Sequence, residues 1–512
     1  MTSAQAQKDY EVLHEKSRYS RILSGITSIL DWDQETYMPH AASAIRSEQL
    51  KVLAGIIHKS KTSPAFAKSL AKLIELNTGK IIAKGLSAQQ KAALQVWRRD
   101  YQQEKCLSAN FVEEFTATTS QAIMAWRTAK QQNNFSILAP YLEKIIYMNR
   151  KKADLLGYQD HPYDALLDLY EPHTSTAEVS TLFANLQPPI TNLLKKISSS
   201  KKIGNSFLFG NFDPEKQLEF GQQLMNAIGY DQTRGRLDIS SHPFSSASHP
   251  TDSRITTRLH PHSLMSSISA IMHEAGHGLY EMGLLSEHYG SPLGEAVSLG
   301  LHESQSRWWE TRIGQSKAFW KHFFPLLQKN FPHQLEKIPI ASFYKAINKV
   351  EPSLIRVEAD EVTYSLHIIL RFELEKALIE GSLSVDEIPE AWNAKMQELL
   401  NLTPSNPAEG CLQDIHWSTG SFGYFPTYTL GNLFASHLFS AFEKQHPDWQ
   451  EQVSKGDLLF IKEWLNLHVH RYGRQYDSKK LLKLVTKKEF NEKAYIEYLY
   501  DKYKSIYNFT DL

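Results

Sequence analysis

Residues 141–157 read "YLEKIIYMNRKKADLLG", and the rhythm of that stretch decides the fold class. Apolar side chains return every three or four positions, charged ones fill the gaps, and Gly157 follows the last turn. That is the period of a helix with one face buried, closed by a residue suited to stopping it. The same rhythm runs outward in both directions and predicts helices over 8–30, 46–58, 65–77, 88–104, 109–132, 139–156, 176–198 and 214–228. Gly (24) and Pro (21) are sparse for 512 residues, which favours long helices over a many-turned β fold. The texture changes twice. Residues 236–263, "RLDISSHPFSSASHPTDSRITTRLHPHS", are rich in Ser, Thr, His and Pro with short β-branched pieces, and predict a small antiparallel sheet. Residues 403–431 are irregular and aromatic. With no internal repeat, low-complexity run or linker, the expectation is one all-α domain over 1–512. The two irregular stretches are where binding residues belong, since such residues favour loops on a rigid scaffold.

Composition narrows the function. Apolar residues make up 42% and charged residues 22%, the balance of a globular chain rather than a disordered one. Lys plus Arg (56) cancel Asp plus Glu (56), so neither nucleic acid nor an anionic membrane is expected as a main partner. Two cysteines far apart, Cys106 and Cys411, exclude a disulfide framework and suit a reducing compartment. The first residues lack a basic flank followed by an apolar run, and no stretch approaches the roughly 18 apolar residues of a membrane span. A cytoplasmic location is expected.

The chemistry centres on "IMHEAGHGLYEMG" (271–283). Leu264, Ile268, Ile271, Met272, Ala275, Leu279 and Met282 fall on one helical stripe. His273 and His277 lie opposite it, one turn apart, with Glu274 beside them. Four-residue spacing lets two imidazoles converge on one ion, and the adjacent carboxylate can reach a water held there. The competing reading is a surface helix with polar residues where such a helix puts them; H-E-x-x-H arises by chance in roughly one such chain in twenty. Gly276 and Gly278 tilt the balance. Each costs about 1 kcal/mol against Ala in a helix interior, and a solvated helix gains nothing in return.

Hydrolytic zinc sites usually take three protein ligands. In "GEAVSLGLHESQSRWWE" (294–310), Glu295 and Glu303 both qualify, and spacing does not choose between them. Glu281 projects past the ion. Glu303 also has a plain alternative, a surface pair with Arg307 at i+4.

The surrounding motifs are specific. "HEAGH" followed by "HESQ" (302–305), "IRVEAD" (355–360) and "GCLQDIHW" (410–417), preceded by "HPF" (242–244) and "DSRIT" (252–256), resembles the carboxypeptidase Taq family of zinc metallocarboxypeptidases. "LDWDQETYMPHAASAIRSEQ" (30–49), "YDALLDLYEP" (163–172) and "FGYFPTY" (422–428) extend the resemblance over essentially the whole chain, with no departing motif position. The resemblance implies one almost all-α body with a deep groove and a small sheet beside the site. It implies metal-dependent removal of single C-terminal residues with broad side-chain tolerance, and a homodimer. It makes His273, His277 and Glu303 the ligands of one Zn2+ per chain, with Co2+ as a possible substitute, and demotes Glu295 to a residue that supports a ligand. Related helical peptidases suggest that the N-terminal helices (1–80) act as a lid.

Residue types then suggest roles. The ion lowers its water's pKa toward about 7 and polarises the scissile carbonyl, and Glu274 takes the water proton as general base. A tetrahedral oxyanion needs another donor; His416, Tyr424 and Tyr428 are the candidates. A free C-terminal carboxylate is best met by a guanidinium, Arg356 first and Arg254 second. Arg356 has a competing reading as a surface pair with Asp360 at i,i+4, and Arg254 as a solvated hairpin residue. His242 and Gln413 are further substrate-side candidates, although Gln413 and Asp414 read more naturally as residues that orient His416 or hold the loop. Cys411 has no partner base and reads as a packed thiol. The rivals to a carboxypeptidase acting on peptides with a free C-terminus are an aminopeptidase or oligopeptidase using Glu295, and a helical peptide-binding scaffold.

Overall fold

The computed structural model describes residues 2–509 and is helical from end to end, with one three-stranded sheet. The helices lie where the periodicity places them. The opening stretch falls within Ala139–Leu156, closed at Gly157 (φ 81°), and Leu142, Ile145 and Ile146 are buried. Among the described residues no helix is long and apolar enough to cross a membrane.

The sheet departs from expectation. β1 (Gly235–Ile239), β2 (Ser245–His249) and β3 (Asp252–Thr257) are ordered β1-β3-β2. β2 and β3 form the antiparallel hairpin, but β1 pairs with β3 in parallel, Leu237 opposite Ile255. The turn at Pro250–Thr251 specifies only the hairpin; the chain crosses from β1 to the far edge before β3 fills the centre.

Alternation along β3 separates two faces. Ser253, Ile255 and Thr257 are buried; the Ser253 hydroxyl donates to the Gly278 carbonyl at 3.3 Å and Thr257 to that of Ser267 at 3.4 Å. This face therefore carries the helix Leu264–Gly283. Arg254, with Arg236 on β1, faces the other way, and the first helix (Ser3–Thr36) crosses there with Trp32 lying 5.1 Å from the Arg236 guanidinium and 4.9 Å from that of Arg254.

The apolar interior divides in two. One large core runs from Ala122 to Ile506. A smaller one, built from Leu13, Phe66, Leu70, Leu94, Trp97 and neighbours, unites the N-terminal helices through Ala88–Cys106 and takes Leu293 from the main body. This unit thus extends past residue 80. Polar ties fasten it to the body: Arg474 grips Asp100 at 2.7 Å, Arg99 donates to Asp168 at 2.7 Å, and the Tyr37 hydroxyl to Asp238 at 2.6 Å.

Candidate metal centre and substrate site

The helix Leu264–Gly283 is a buried element, not a surface one. Its predicted stripe is buried throughout, and Glu274, Gly276, Gly278 and Tyr280 on other faces are buried too. The two glycines explain why neighbours come so close. A Cβ on Gly276 would stand 2.6 Å from the Gln305 carbonyl oxygen and 2.7 Å from Ser306 Cα. One on Gly278 would meet the Tyr230 ring at 2.6 Å. Gly276 lets the helix Leu299–Arg307 approach, and Gly278 lets the helix seat on β3.

That approach delivers Glu303. Ligand atoms of His273, His277 and Glu303 all lie within 4.8 Å of one another. Glu303 Oε2 is 3.5 Å from His273 Nε2 and 3.4 Å from His277 Nε2. Two imidazoles and a carboxylate converging on one point are a donor set suited to a divalent ion. Glu303 itself is buried, yet the two histidines outweigh burial and hold its carboxyl down at about 2. The helix carrying it is tightly set: Ser298 caps it by accepting from the Leu301 N–H, and buried Glu171 accepts from the Gly300 N–H at 3.1 Å. Gly431 leaves the room Glu303 occupies, since a Cβ there would stand 2.6 Å from Glu303 Cγ. His273 and His277 keep 24% and 16% of their side chains exposed, so the cluster is open to solvent.

Arg307 does not pair with Glu303. It donates to Glu310 at 2.8 Å, and Glu310 in turn holds His273 Nδ1 at 2.8 Å. Glu310 lies on a π-helical turn, Trp308–Ile313, a local widening of the kind often found at functional sites. Glu295 is not part of this converging group: its carboxylate accepts from Arg474 at 2.9 Å beside Asp100. Glu274 is buried next to the cluster, and that burial, reinforced by Glu303 and Glu310 against the pull of His273, pushes its carboxyl up to about 7.

The aromatic loop forms the second half. It ends at Phe425, earlier than its composition suggests, because Pro426 opens a helix that runs to Gln445 and carries Tyr428 in its first turn. Buried Glu375 fixes the loop by accepting from Tyr163 (2.6 Å), the Trp417 indole (2.9 Å) and the Gly423 N–H (3.0 Å). His416 Nε2 lies 3.1 Å from the Tyr428 hydroxyl. Burial lowers His416 to about 4, so its ring is neutral at physiological pH. Tyr424 stacks edge-on against Tyr428 with centroids 5.4 Å apart. Burial raises its hydroxyl pKa. The helix that carries Tyr428 packs on Glu303 at Gly431, and the Arg356 guanidinium lies 4.9 Å from the Tyr428 ring centre, so the first turn of that helix lies between Glu303 and Arg356.

Arg356 is buried, so the surface-pair reading fails; Asp360 instead accepts from the Val362 and Thr363 N–H groups. Arg356 donates from Nη2 to Asp414 Oδ1 at 2.8 Å and from Nη1 to the Tyr364 hydroxyl at 3.1 Å. Arg371, fully buried, donates from Nε to Asp414 Oδ2 at 2.7 Å. Burial alone would raise Asp414, but the two guanidinium groups hold it well below the usual carboxylate range. Two cations sharing one carboxylate leave a buried excess of positive charge.

Three substrate-side candidates have other partners in the fold. Arg254 sits on the sheet face away from the HExxH helix, bound to Asp252 at 2.7 Å and against Trp32, so it is not brought to the cluster. His242 is exposed in the β1–β2 link, its carbonyl accepting from Ser240. Gln413 has its whole amide engaged by protein: its oxygen accepts from the Arg356 N–H and from Arg371, and its nitrogen donates to the Leu354 and Glu409 carbonyls. It holds the loop. Cys411 is a packed thiol as expected, pushed up to about 12 by burial. Glu310 and Arg371 are absent from the motif reading. Their one sequence signal is a charge set among large apolar residues, Glu310 (with Arg312) in "WWETRI" and Arg371 alone in "LHIILRF".

Comparison with known proteins identifies the family. A family model described as carboxypeptidase Taq (M32) metallopeptidase matches residues 12–503. The chain belongs to the M32 carboxypeptidase Taq family. It is 37% identical over 508 residues to thermostable carboxypeptidase 1 of Thermus thermophilus, covering 97% of this chain and 99% of that one. Carboxypeptidase 1 of Bacillus subtilis is 36% identical over 499 residues, covering 97% and 98%. The crystal structure of the M32 carboxypeptidase from Deinococcus radiodurans R1 superposes with a TM-score of 0.94 at 34% identity, covering 98% of this chain and 100% of that one. This M32 chain is accordingly a metallocarboxypeptidase, and membership implies a divalent metal, for which His273, His277 and Glu303 are the fitting donors.

Proposed function

We propose that this M32 enzyme is a zinc carboxypeptidase that releases single C-terminal residues from peptides, with broad tolerance of the side chain released and with Co2+ able to replace Zn2+. The observation that carries the reading is the juxtaposition of two clusters. Three metal donors with buried Glu274 beside them stand on one part of the site, and the Arg356–Asp414–Arg371 group, with its excess positive charge, on another, with the helix of Tyr428 and Gly431 touching both Arg356 and Glu303. A divalent ion at the three donors supplies Lewis-acid polarisation of the scissile carbonyl and acidifies a nearby water.

The protein's own groups do the rest. Glu274, tuned toward neutrality, accepts the proton of the attacking water and hands it to the leaving amine. A hydrogen bond from Tyr424, Tyr428 or neutral His416 supports the oxyanion. Arg356 receives the terminal carboxylate, with Asp414 and Arg371 holding its guanidinium in place. Glu295, held by Arg474, offers nothing to an aminopeptidase reading. In the same proposal the enzyme works as a cytoplasmic homodimer, and its N-terminal helices close over a deep groove.

Blocking each end of a test peptide decides the matter. N-blocked peptides with varied C-terminal residues should be cleaved one residue at a time, and the C-terminal amides should resist. A metal chelator should abolish cleavage, and Zn2+ or Co2+ should restore it. Cleavage of the amide with rejection of the N-blocked acid would sink the proposal.

A further inference from the structure

The structure assigns a positioning role to His302, which stands between a metal ligand and a buried carboxylate on two different helices. The inference rests on reading His273, His277 and Glu303 as the metal donors. His302 Nδ1 lies 2.5 Å from His277 Nδ1, and His302 Nε2 lies 2.9 Å from Glu281 Oε1. Two ring nitrogens so close share one proton, so one donates and the other accepts. An ionised carboxylate only accepts, which puts a proton on His302 Nε2. His277 faces the cluster with Nε2, and a ligand that binds through Nε2 carries its proton on Nδ1, so His302 Nδ1 is the acceptor between the rings. This leaves the lone pair of His277 on Nε2, the nitrogen 3.4 Å from Glu303. One acceptor at Glu281 thus fixes the tautomer of a ligand two hydrogen bonds away.

The arrangement differs at the other imidazole. His273 Nδ1 meets the Glu310 carboxylate directly, at 2.8 Å. His277 meets its carboxylate only through a second ring, although Glu281 is on its own helix one turn further along. His302 fills the gap from the helix Leu299–Arg307, one residue before Glu303, and packs at a tilt against Tyr280 with ring centroids 5.1 Å apart. Orientation of His277 and delivery of Glu303 are therefore tied to the same helix.

Packing alone is the competing account, and side chains of like shape separate the two. Gln at 302 keeps one acceptor and one donor at the end of a flexible chain; Met has nearly the same length and neither group. Chelator-stripped full-length protein is titrated with Co2+, following its visible absorption, and with Zn2+ in competition with a chromophoric chelator. His302→Met should weaken binding by about 10–100-fold, with His302→Gln recovering most of the loss. Glu281→Ala, which leaves the His302 ring in place, should weaken binding in the same direction. Thermal unfolding of each metal-free protein reports whether it folds; if His302→Met does not, Glu281→Ala and His302→Gln still decide. Wild-type affinity in Glu281→Ala, or equal weakening by Gln and Met, would overturn the assignment. His273→Ala is the separate control: if it binds metal like wild type, the three-donor site itself is wrong, whatever His302 does.

Discussion

Glu274 has to take a proton in one step and release it in the next, so its affinity for that proton must sit near the working pH. Burial is what raises it to about 7, and Glu303 and Glu310 add to the effect while His273 opposes it. Glu274→Gln preserves the shape and removes the base: kcat should fall by about 10²–10⁴-fold, with metal content by elemental analysis unchanged. Full turnover in that variant would take Glu274 out of the reaction. Arg356→Lys keeps the charge and loses the planar fork. Hydrolysis of free-acid peptides should drop about tenfold or more, a loss of about 1.5 kcal/mol in a charge-assisted contact, while any residual cleavage of the matching amides stays level. Equal losses on both would make Arg356 part of the scaffold. Glu274 was legible in the sequence because its chemistry needs particular side chains at short spacing, and Arg356 only through the resemblance that "IRVEAD" carries. Glu310, His302 and Arg371 were not. Each matters through a contact 37, 25 or 43 residues away, and only the folded chain brings those pairs together.

At the scale of elements, the glycines show what pattern reading can and cannot supply. Their cost in a helix signalled a close approach, but not what approaches. The structure supplies Gln305 and Ser306 at Gly276, backbone atoms that cannot swing aside. Gly276→Ala should therefore destabilise the fold by about 1–3 kcal/mol, the usual range for overpacking, and lower metal affinity as the ligand helices part. Gly55, exposed in the helix Ser43–Lys61 with nothing within 4 Å of an added Cβ, is the contrast. Gly55→Ala should stabilise by up to about 1 kcal/mol. Urea unfolding of the two variants should move the midpoint in opposite directions; a shift of the same sign in both would show that close approach is not what Gly276 provides. Helices were legible because a single period specifies each one. The parallel pairing of β1 was not, since strand order depends on where the chain crosses and not on the strands themselves. The π-helical turn that carries Glu310 escaped for a related reason: it is a change in backbone hydrogen bonding that no residue type marks.

For the whole molecule, the buried carboxyls set how stability depends on pH, and they do not all act alike. Asp414 is held low by Arg356 and Arg371 despite its burial, so it contributes stability above its unfolded value near 3.8, which is lost as pH falls further below that value. Glu375 and Glu171 go the other way. Burial raises each from 4.5 to about 7, although both accept hydrogen bonds that oppose the rise. Between those two values the unfolded chain has released the proton while the folded chain still holds it. The unfolded state then binds fewer protons, and stability declines as pH rises through the window. Each group can contribute on the order of 3 kcal/mol to that decline at 1.36 kcal/mol per pKa unit. Glu375→Gln removes one of the two. At pH 5 the variant should be less stable than wild type by about 1–3 kcal/mol, because an amide cannot accept from Tyr163, Trp417 and Gly423 together as the carboxyl does. By pH 8 wild type carries the cost of a buried charge and the variant does not, so the gap should close or reverse. Denaturant unfolding at both pH values measures it directly. Parallel stability curves for the two proteins would mean that Glu375 ionises in the fold as easily as in the unfolded chain, and that the three donors around it suffice to hold a buried carboxylate.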